Sequence, residues 1–353
     1  MNNSVLKNLE FLPNDFQLID ENISSHIDKN YASQPYWKDV LNRFIQNKGA
    51  IFSLICIFSI TIMAIISPNM SGHTYDSQII TQQNLAPRIK GIEKIGIFDG
   101  SEKMSTSKGA TKINKYVSSD AKKTGLENVY YWFGTDVLGR DIFTRTWFGT
   151  KISLYIALVA VAIDMIFGLS YGLISGYFGG AIDNGMQRFV EILNGIPNLV
   201  IVTLLILVLK PGLVTITFSL MITGWIGMSR IARAQILKLK EQEFVLASRT
   251  LGAKSFFIIF KEILPNIFGQ IITNTMFSIP NAIFTEAFLA FIGLGVPAPM
   301  ASLGSLISEA FKSLTTHPYM IVPPIVVLGI LMLSFNMLAD GLRDAFDPKM
   351  KEM

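Results

Sequence analysis

Charge is scarce in this chain: Asp, Glu, Lys and Arg make up only 16% of its 353 residues, while 50% are hydrophobic. Mean hydropathy is +0.43, too apolar for an ordinary soluble domain of this size, so the chain requires a solvent other than water. Cysteine is nearly absent, and the single Cys56 excludes an intramolecular disulfide framework and any cysteine metal site. The three histidines, His26, His73 and His317, all lie outside the apolar runs. That leaves the Gly168-Leu-Ser-Tyr-Gly172 stretch, which matches a hydrolase nucleophile pattern, without an intramembrane base. No His-Glu-x-x-His zinc motif and no Gly-x-x-x-x-Gly-Lys-Ser/Thr phosphate loop occurs, so neither a zinc protease nor an ATP cradle of that kind is encoded. The formal net charge of +4 is spread among acidic residues rather than massed, which excludes a nucleic-acid footprint. The stretch 1–34 is polar and partly acidic, so no cleaved signal is expected. No repeat of 20–50 residues stands out.

What the chain does have is long apolar runs. A bilayer core of about 30 Å needs roughly 20 apolar residues at 1.5 Å each. Six runs approach that length: 49–67, 152–178, 192–209, 212–229, 267–296 and 320–339. Only Asp164 and Glu286 put a charge inside them. The fold class expected is therefore an all-α integral membrane protein with six transmembrane helices. Orientation follows from Lys and Arg in the short connections. The loop 230–266 carries Arg230, Arg233, Lys238, Lys240, Arg249, Lys254 and Lys261, which places it in the cytoplasm and both termini with it. Lys38, Arg43, Lys48, Arg188, Arg343, Lys349 and Lys351 then also lie inside.

The resulting organisation is a cytoplasmic segment 1–48, a first span 49–67, a large external loop 68–150, a five-helix core 151–342 and a cytoplasmic tail 343–353. The external loop shows no sustained apolar period and reads as partly mobile. Within 1–48, Tyr36, Trp37, Val40, Leu41, Phe44 and Ile45 recur at helical spacing with Lys38, Asp39, Asn42 and Arg43 between them. This describes an amphipathic helix lying in the lipid interface, or alternatively one packed on the protein.

Residues 233–266 read as helix, break, helix. Ile236, Leu239, Phe244, Ala247 and Leu251 keep a helical stripe, Gly252 suits a C-terminal cap, Ser255 caps a second helix, and Pro265 breaks the pattern before the next span. The stretch resembles the EAA loop of binding-protein-dependent ABC importer permeases, with Ala247, Gly252, Leu264 and Pro265 at matching positions. Leu246 stands where that family has Glu, Ser248 replaces the second Ala, and Glu262 replaces an Ile, while Glu243 supplies an acidic residue three positions earlier. The resemblance implies a type I ABC importer permease fold, with Glu243, Ala247, Ser248, Gly252, Leu264 and Pro265 forming the knob that docks on a cytoplasmic ATPase.

Three further runs resemble signatures of the oligopeptide and dipeptide permeases of the C-subunit type: Phe133-Gly-Thr-Asp-Val-Leu-Gly-Arg-Asp-Ile-Phe-Thr-Arg145, Glu286-Ala-Phe-Leu-Ala-Phe-Ile-Gly-Leu-Gly-Val-Pro297 and Phe335-Asn-Met-Leu-Ala-Asp-Gly-Leu-Arg-Asp-Ala-Phe-Asp-Pro348. The resemblance implies a bacterial plasma-membrane location and a heterodimer with a B-type permease. It also implies two ATPase subunits that hold ATP and Mg, and an external peptide-binding protein. Cofactors of its own are not expected, and cargo stays open among oligopeptides, dipeptides and nickel complexes. A secondary transporter is the competing class; it predicts paired intramembrane charges and inverted repeats, and leaves the 243–265 loop without a role.

Inside the spans, Asp164 and Glu286 each require a polar cavity or a structural partner. Asn194 and Pro197, and Asn274 and Pro280, loosen their helices and free backbone carbonyls, which lipid does not accept. Asp164, Asn194, Asn274, Pro280 and Glu286 are accordingly the candidates for a translocation path through spans two to six, with ordinary buried kinks and pairs as the alternative. Gly168, Gly172 and Gly176, four residues apart, fit close helix packing.

Overall fold

The computed structural model describes residues 36–106, 109–117 and 125–346. The polar stretch 1–34 with His26, and Pro348, Lys349 and Lys351, lie outside the described residues. Among the described residues, 36–43 and 44–346 fall in separate compact units. The amphipathic helix expected near the start is α1, Tyr36–Gln46, with Tyr36, Trp37, Leu41 and Ile45 exposed and Arg43 paired to Asp39 one turn away at 2.6 Å.

Five helices among the described residues are long and apolar enough to cross a membrane: α2, Lys48–Asn69; α3, Ile142–Phe178; α6, Leu213–Leu239; α8, Ser255–Leu294; and α10, Pro318–Phe346. Between α3 and α6 lie α4, Gly180–Gly195, and α5, Asn198–Leu209, bent by 77° to each other and, counted together as one span, long and apolar enough to be a sixth. The run 192–209 is thus two helices rather than one. The proline ring of Pro197 forces Ile196 out of the helical region, to φ −89° and ψ 121°. Side-chain capping starts α2, where the Asn47 side chain accepts from the Ala50 N–H at 3.1 Å. The helix α3 begins ten residues ahead of the apolar run, because Asp141 caps it by accepting from the N–H groups of Phe143 and Thr144.

The segment between α2 and α3, read from the sequence as a loop without apolar periodicity, carries ordered structure. Strands β1, Ser101–Thr106, and β2, Gly109–Asn114, pair antiparallel. Leu85, Tyr116, Leu126 and Tyr131 form a small core there. Its apolar residues are too far apart in sequence for any local period to reveal it. The short helix α7, Glu243–Thr250, ends just before Gly252 within the stretch read as helix, break, helix. A second element without a sequence signal is α9, Leu303–Phe311, opened by a reciprocal cap between Ser302 and Ser305.

The glycine ladder of α3 packs on α6. A Cβ at Gly172 would lie 2.7 Å from the Ala232 Cβ and 3.0 Å from the Arg233 backbone nitrogen, and one at Gly176 would run into Ile236. Only hydrogen fits at that approach. Gly172→Leu is expected to destabilise the bundle by about 3 kcal/mol through overpacking, read as a lowered thermal midpoint of the detergent-purified protein, whereas Gly185→Ala, where a Cβ meets open space, is expected to leave it unchanged.

Candidate functional site

Two places concentrate the expected functional residues: a short helix joining α6 to α8, and a polar cavity among the spans. The helix α7 starts after Gln242, with Glu243 in its first turn and Arg249 in its last, both in the sense that the helix dipole favours. It is closed by a Schellman motif: the Ala253 N–H donates to the Ser248 carbonyl and the Gly252 N–H to the Arg249 carbonyl, each at 3.0 Å. Gly252 adopts φ +82°, a conformation open to glycine at little cost, and a Cβ there would meet nothing within 4 Å. Ala247 and Gly252 are exposed and Ser248 half-buried, so the small-residue face is open to a partner's backbone.

Three details differ from the sequence reading. Phe244 and Leu251 are exposed, and it is Val245 that is buried, in one cluster with Ile236, Ile258, Ile259 and Ile263. The turn at 240–242 resets the helical phase between α6 and α7, so a stripe carried across it fails. Ser255 is not a cap; Lys254 holds the N-cap position without a side-chain bond. Pro265 does not break the chain either. The π-turn Ile258–Ile263 immediately before it carries the i→i+5 bonding that a missing N–H tolerates, and α8 continues through it as helix from Ser255 to Ile292, until Gly293 at φ 89° leaves the helical region. At 1.5 Å per residue that is about 60 Å, twice the apolar thickness of a bilayer, so α8 projects well beyond it. Leu264 is half-buried beside the Val245 cluster and Pro265 exposed.

Around this junction an ion pair that the sequence did not reveal ties α4 to α6. Arg233 donates Nε and an Nη to the two carboxylate oxygens of Asp183 at 2.7 and 2.6 Å. Ser175 of α3 also hydrogen-bonds Asp183, Lys240 donates to the Gly176 carbonyl at 3.2 Å, and Arg249 of α7 lies over the Tyr177 ring at 5.8 Å. Asp183 and Arg233 are 50 residues apart, a separation that no periodicity argument spans.

The cavity has a volume of about 420 Å³ and is walled by α3, the α4–α5 bend, α6 and α8. Asp164 and Asn194 line it, together with Asn198, Ser278, Asn281 and Thr285. Each wall is irregular at the cavity: a π-turn opens at Asp164, the chain bends at Pro197, α6 has a turn at Gly224–Trp225, and Pro280 offers no N–H to the carbonyl of Met276. Asn274 does not line it and bonds the Gln270 carbonyl of its own helix at 2.7 Å, and Pro280 is buried in α8 without reaching the lining. No residue of α10 contributes, so the cavity is bounded by spans two to five rather than two to six. Ser278, Asn281 and Thr285 keep helical spacing, and this polar stripe within an apolar run is the signal in the sequence that marks them.

Glu286, also expected on the path, lies away from the cavity. It is fully buried, accepting from the Ser153 hydroxyl at 3.1 Å, while that hydroxyl accepts from the Leu303 N–H that opens α9. Through these contacts it links α3, α8 and α9. The run 133–145 has a similar part to play: Asp136 pairs with Arg140 at 2.6 Å, and Arg140 and the fully buried Arg145 both reach Glu309 of α9, at 2.7 and 3.0 Å. Removing one partner of such a pair strands the other. Glu309→Gln removes the carboxylate that both arginines share and is expected to lower stability by about 2–3 kcal/mol, seen as a reduced thermal midpoint, and by more than Arg145→Met, after which Glu309 still pairs with Arg140.

Residues 168–352 match the family described as the binding-protein-dependent transport system inner membrane component, and residues 35–87 match the N-terminal TM domain of oligopeptide transport permease C. The chain is 42% identical over 316 residues to the oligopeptide transport system permease protein OppC of Bacillus subtilis, covering 90% of each chain. It is 40% identical to the dipeptide transport system permease protein DppC of the same organism, over 90% of this chain and 88% of that one. With the dipeptide transport system permease protein DppC of Lactococcus lactis it shares 37% identity over 98% of this chain and 100% of the relative.

Proposed function

Because the chain belongs to the family of binding-protein-dependent transport system inner membrane components, we propose that it is the permease subunit through which peptides cross the plasma membrane in an ATP-driven importer. The observation that carries this reading is the exposed, Schellman-capped helix α7 joined to the 40-residue α8, whose other half walls the polar cavity. A push on α7 from a docked ATPase is transmitted along one continuous helix to the side chains of the path. Glu243, Ala247, Ser248 and Gly252 supply the docking face, and Leu264 and Pro265 the junction with that helix. Asp164 and Asn194 belong to the path, while Asn274, Pro280 and Glu286 serve helix geometry and packing.

The engine is two ATPase subunits carrying ATP and Mg, and the other half of the pore is a homologous B-type permease. An external binding protein delivers the peptide on the face opposite α7, which puts the 70–141 segment outside and both termini in the cytoplasm. Relatives are named for oligopeptides and for dipeptides, and both classes are within this reading. Deleting the chain from its host and measuring ATP-dependent uptake of labelled di- and tripeptides tests it. Uptake lost on deletion and regained on complementation is the expected result; unchanged uptake of both classes would refute a peptide importer.

A further inference from the structure

The cavity described above is built asymmetrically in charge. Asp164 is only 5% exposed, at the mouth of a π-turn, and Ser278 is its hydrogen-bonding neighbour. No Lys, Arg or His lines the cavity, and no ion pair among the described residues involves Asp164. The remaining polar groups, Asn194, Asn198 and Asn281 among them, are neutral and offer both donors and acceptors. A carboxylate surrounded this way within apolar spans is costly unless a cation visits it. The cavity volume of about 420 Å³ falls in the range of about 300–1,000 Å³ typical of small-ligand sites.

We propose that Asp164 makes this cavity a station for a positively charged ammonium group of the cargo, so that the permease itself discriminates by charge as the peptide passes. The proposal rests on the cavity being part of the peptide path. Two groups supply that chemistry, the free amino terminus of a peptide and the side chain of lysine, and both carry hydrogens that Asp164, Asn194 and Asn281 together are placed to accept. An acidic side chain finds no cationic partner among the lining residues and is disfavoured at the same point.

The test is uptake by cells carrying the complete importer, with the peptides trialanine, N-acetyl-Ala-Lys-Ala and N-acetyl-trialanine, each measured in the wild type, Asp164→Asn and Ser278→Asp at matched membrane levels. The binding protein is the same in all strains, so the ratio of ammonium-bearing to ammonium-free uptake, compared between strains, isolates the permease. Asp164→Asn is expected to lower that ratio by about tenfold or more, the size of effect that a buried hydrogen bond to a charged group gives. Ser278→Asp, which adds a second carboxylate, is expected to raise it. A fall for both ammonium peptides supports a shared site, and a fall for trialanine alone supports the amino terminus as the source. A ratio unmoved in both variants overturns the proposal. Should Asp164→Asn fail to reach the membrane, the Ser278→Asp ratio decides. Uptake of all three peptides that survives deletion of the chain would instead defeat the importer reading itself, an outcome separate from any change of ratio.

Discussion

Gly252→Glu is expected to leave the protein in the membrane at normal level while abolishing both co-purification of an ATPase and peptide uptake. The reason lies in two separate properties of the position. With φ at +82°, any L-residue there costs about 1–2 kcal/mol of backbone strain, which loosens the Schellman turn but is too little to unfold a six-helix bundle. Because a Cβ at Gly252 meets nothing within 4 Å, the added side chain clashes with nothing inside the chain and projects outward instead. It would project from the end of the open Ala247 face, beside Leu251 and Phe256, which are 88% and 72% exposed. A partner surface that buries those apolar groups would have to bury a carboxylate beside them, and an unpaired buried charge costs several kcal/mol, enough to lower affinity by about 100-fold or more. Gly252→Ala separates the two effects: it carries the strain without the charge and is expected to retain most ATPase association. Pull-down of the ATPase with each variant, and uptake beside it, checks the prediction. Full association with Gly252→Glu would remove α7 as the docking element.

How far these features were legible in the sequence depended on the range of the interaction that fixes them. Gly252 was readable because its role is local: a glycine closing a short helix is a backbone matter settled within five residues. The apolar spans were readable because burial in lipid needs only length and composition; Pro197 marked a loosened helix for a local reason, but not that the chain divides there into two helices bent by 77°. Pro265 was misread because the local rule, that a helix ends before proline, was overridden by the π-turn at Ile258–Ile263, and the result is a continuous rod where two pieces were expected. Glu286 and Asp164 looked alike as charges in apolar runs. They part only in three dimensions, since Ser153, which occupies Glu286, is 133 residues away, while Asp164 opens on a cavity. Asn274 shares the polar stripe of Ser278, Asn281 and Thr285 but sits one turn outside the cavity, a distinction of depth that periodicity does not contain.

The continuity of α8 bears on how force travels. A hinge at Pro265 would let α7 move without moving the span; a rod obliges the two to move together, provided that α7 is fastened to it. The fastening is one residue deep: Val245 is the buried side chain of α7, held in the cluster of Ile236, Ile258, Ile259 and Ile263, with Arg249 over Tyr177 as a lighter contact.

Val245→Asp is therefore expected to give a phenotype opposite in kind to that of Gly252→Glu. Val245 is fully buried among isoleucines from α6 and α8, and an aspartate there has no cationic partner within that cluster. Burying it costs about 3 kcal/mol or more, so the favourable course is for α7 to swing out and hydrate the carboxylate, with its exposed small-residue face unaltered. The ATPase still finds Ala247, Ser248 and Gly252 and still co-purifies, though on a tethered rather than a fixed helix. Its closure then moves α7 without moving α8, so uptake is expected to fall to background while ATP hydrolysis by the purified complex no longer rises when the binding protein and peptide are added. Val245→Ile, which keeps the apolar contact, is expected to transport normally within the limits of overpacking. Measuring ATPase association, ATP hydrolysis and uptake on the same preparations separates the outcomes. If Val245→Asp loses the ATPase as completely as Gly252→Glu does, docking needs the fixed helix. If it transports normally, force does not pass through the Val245 contact, and the rod has another point of attachment.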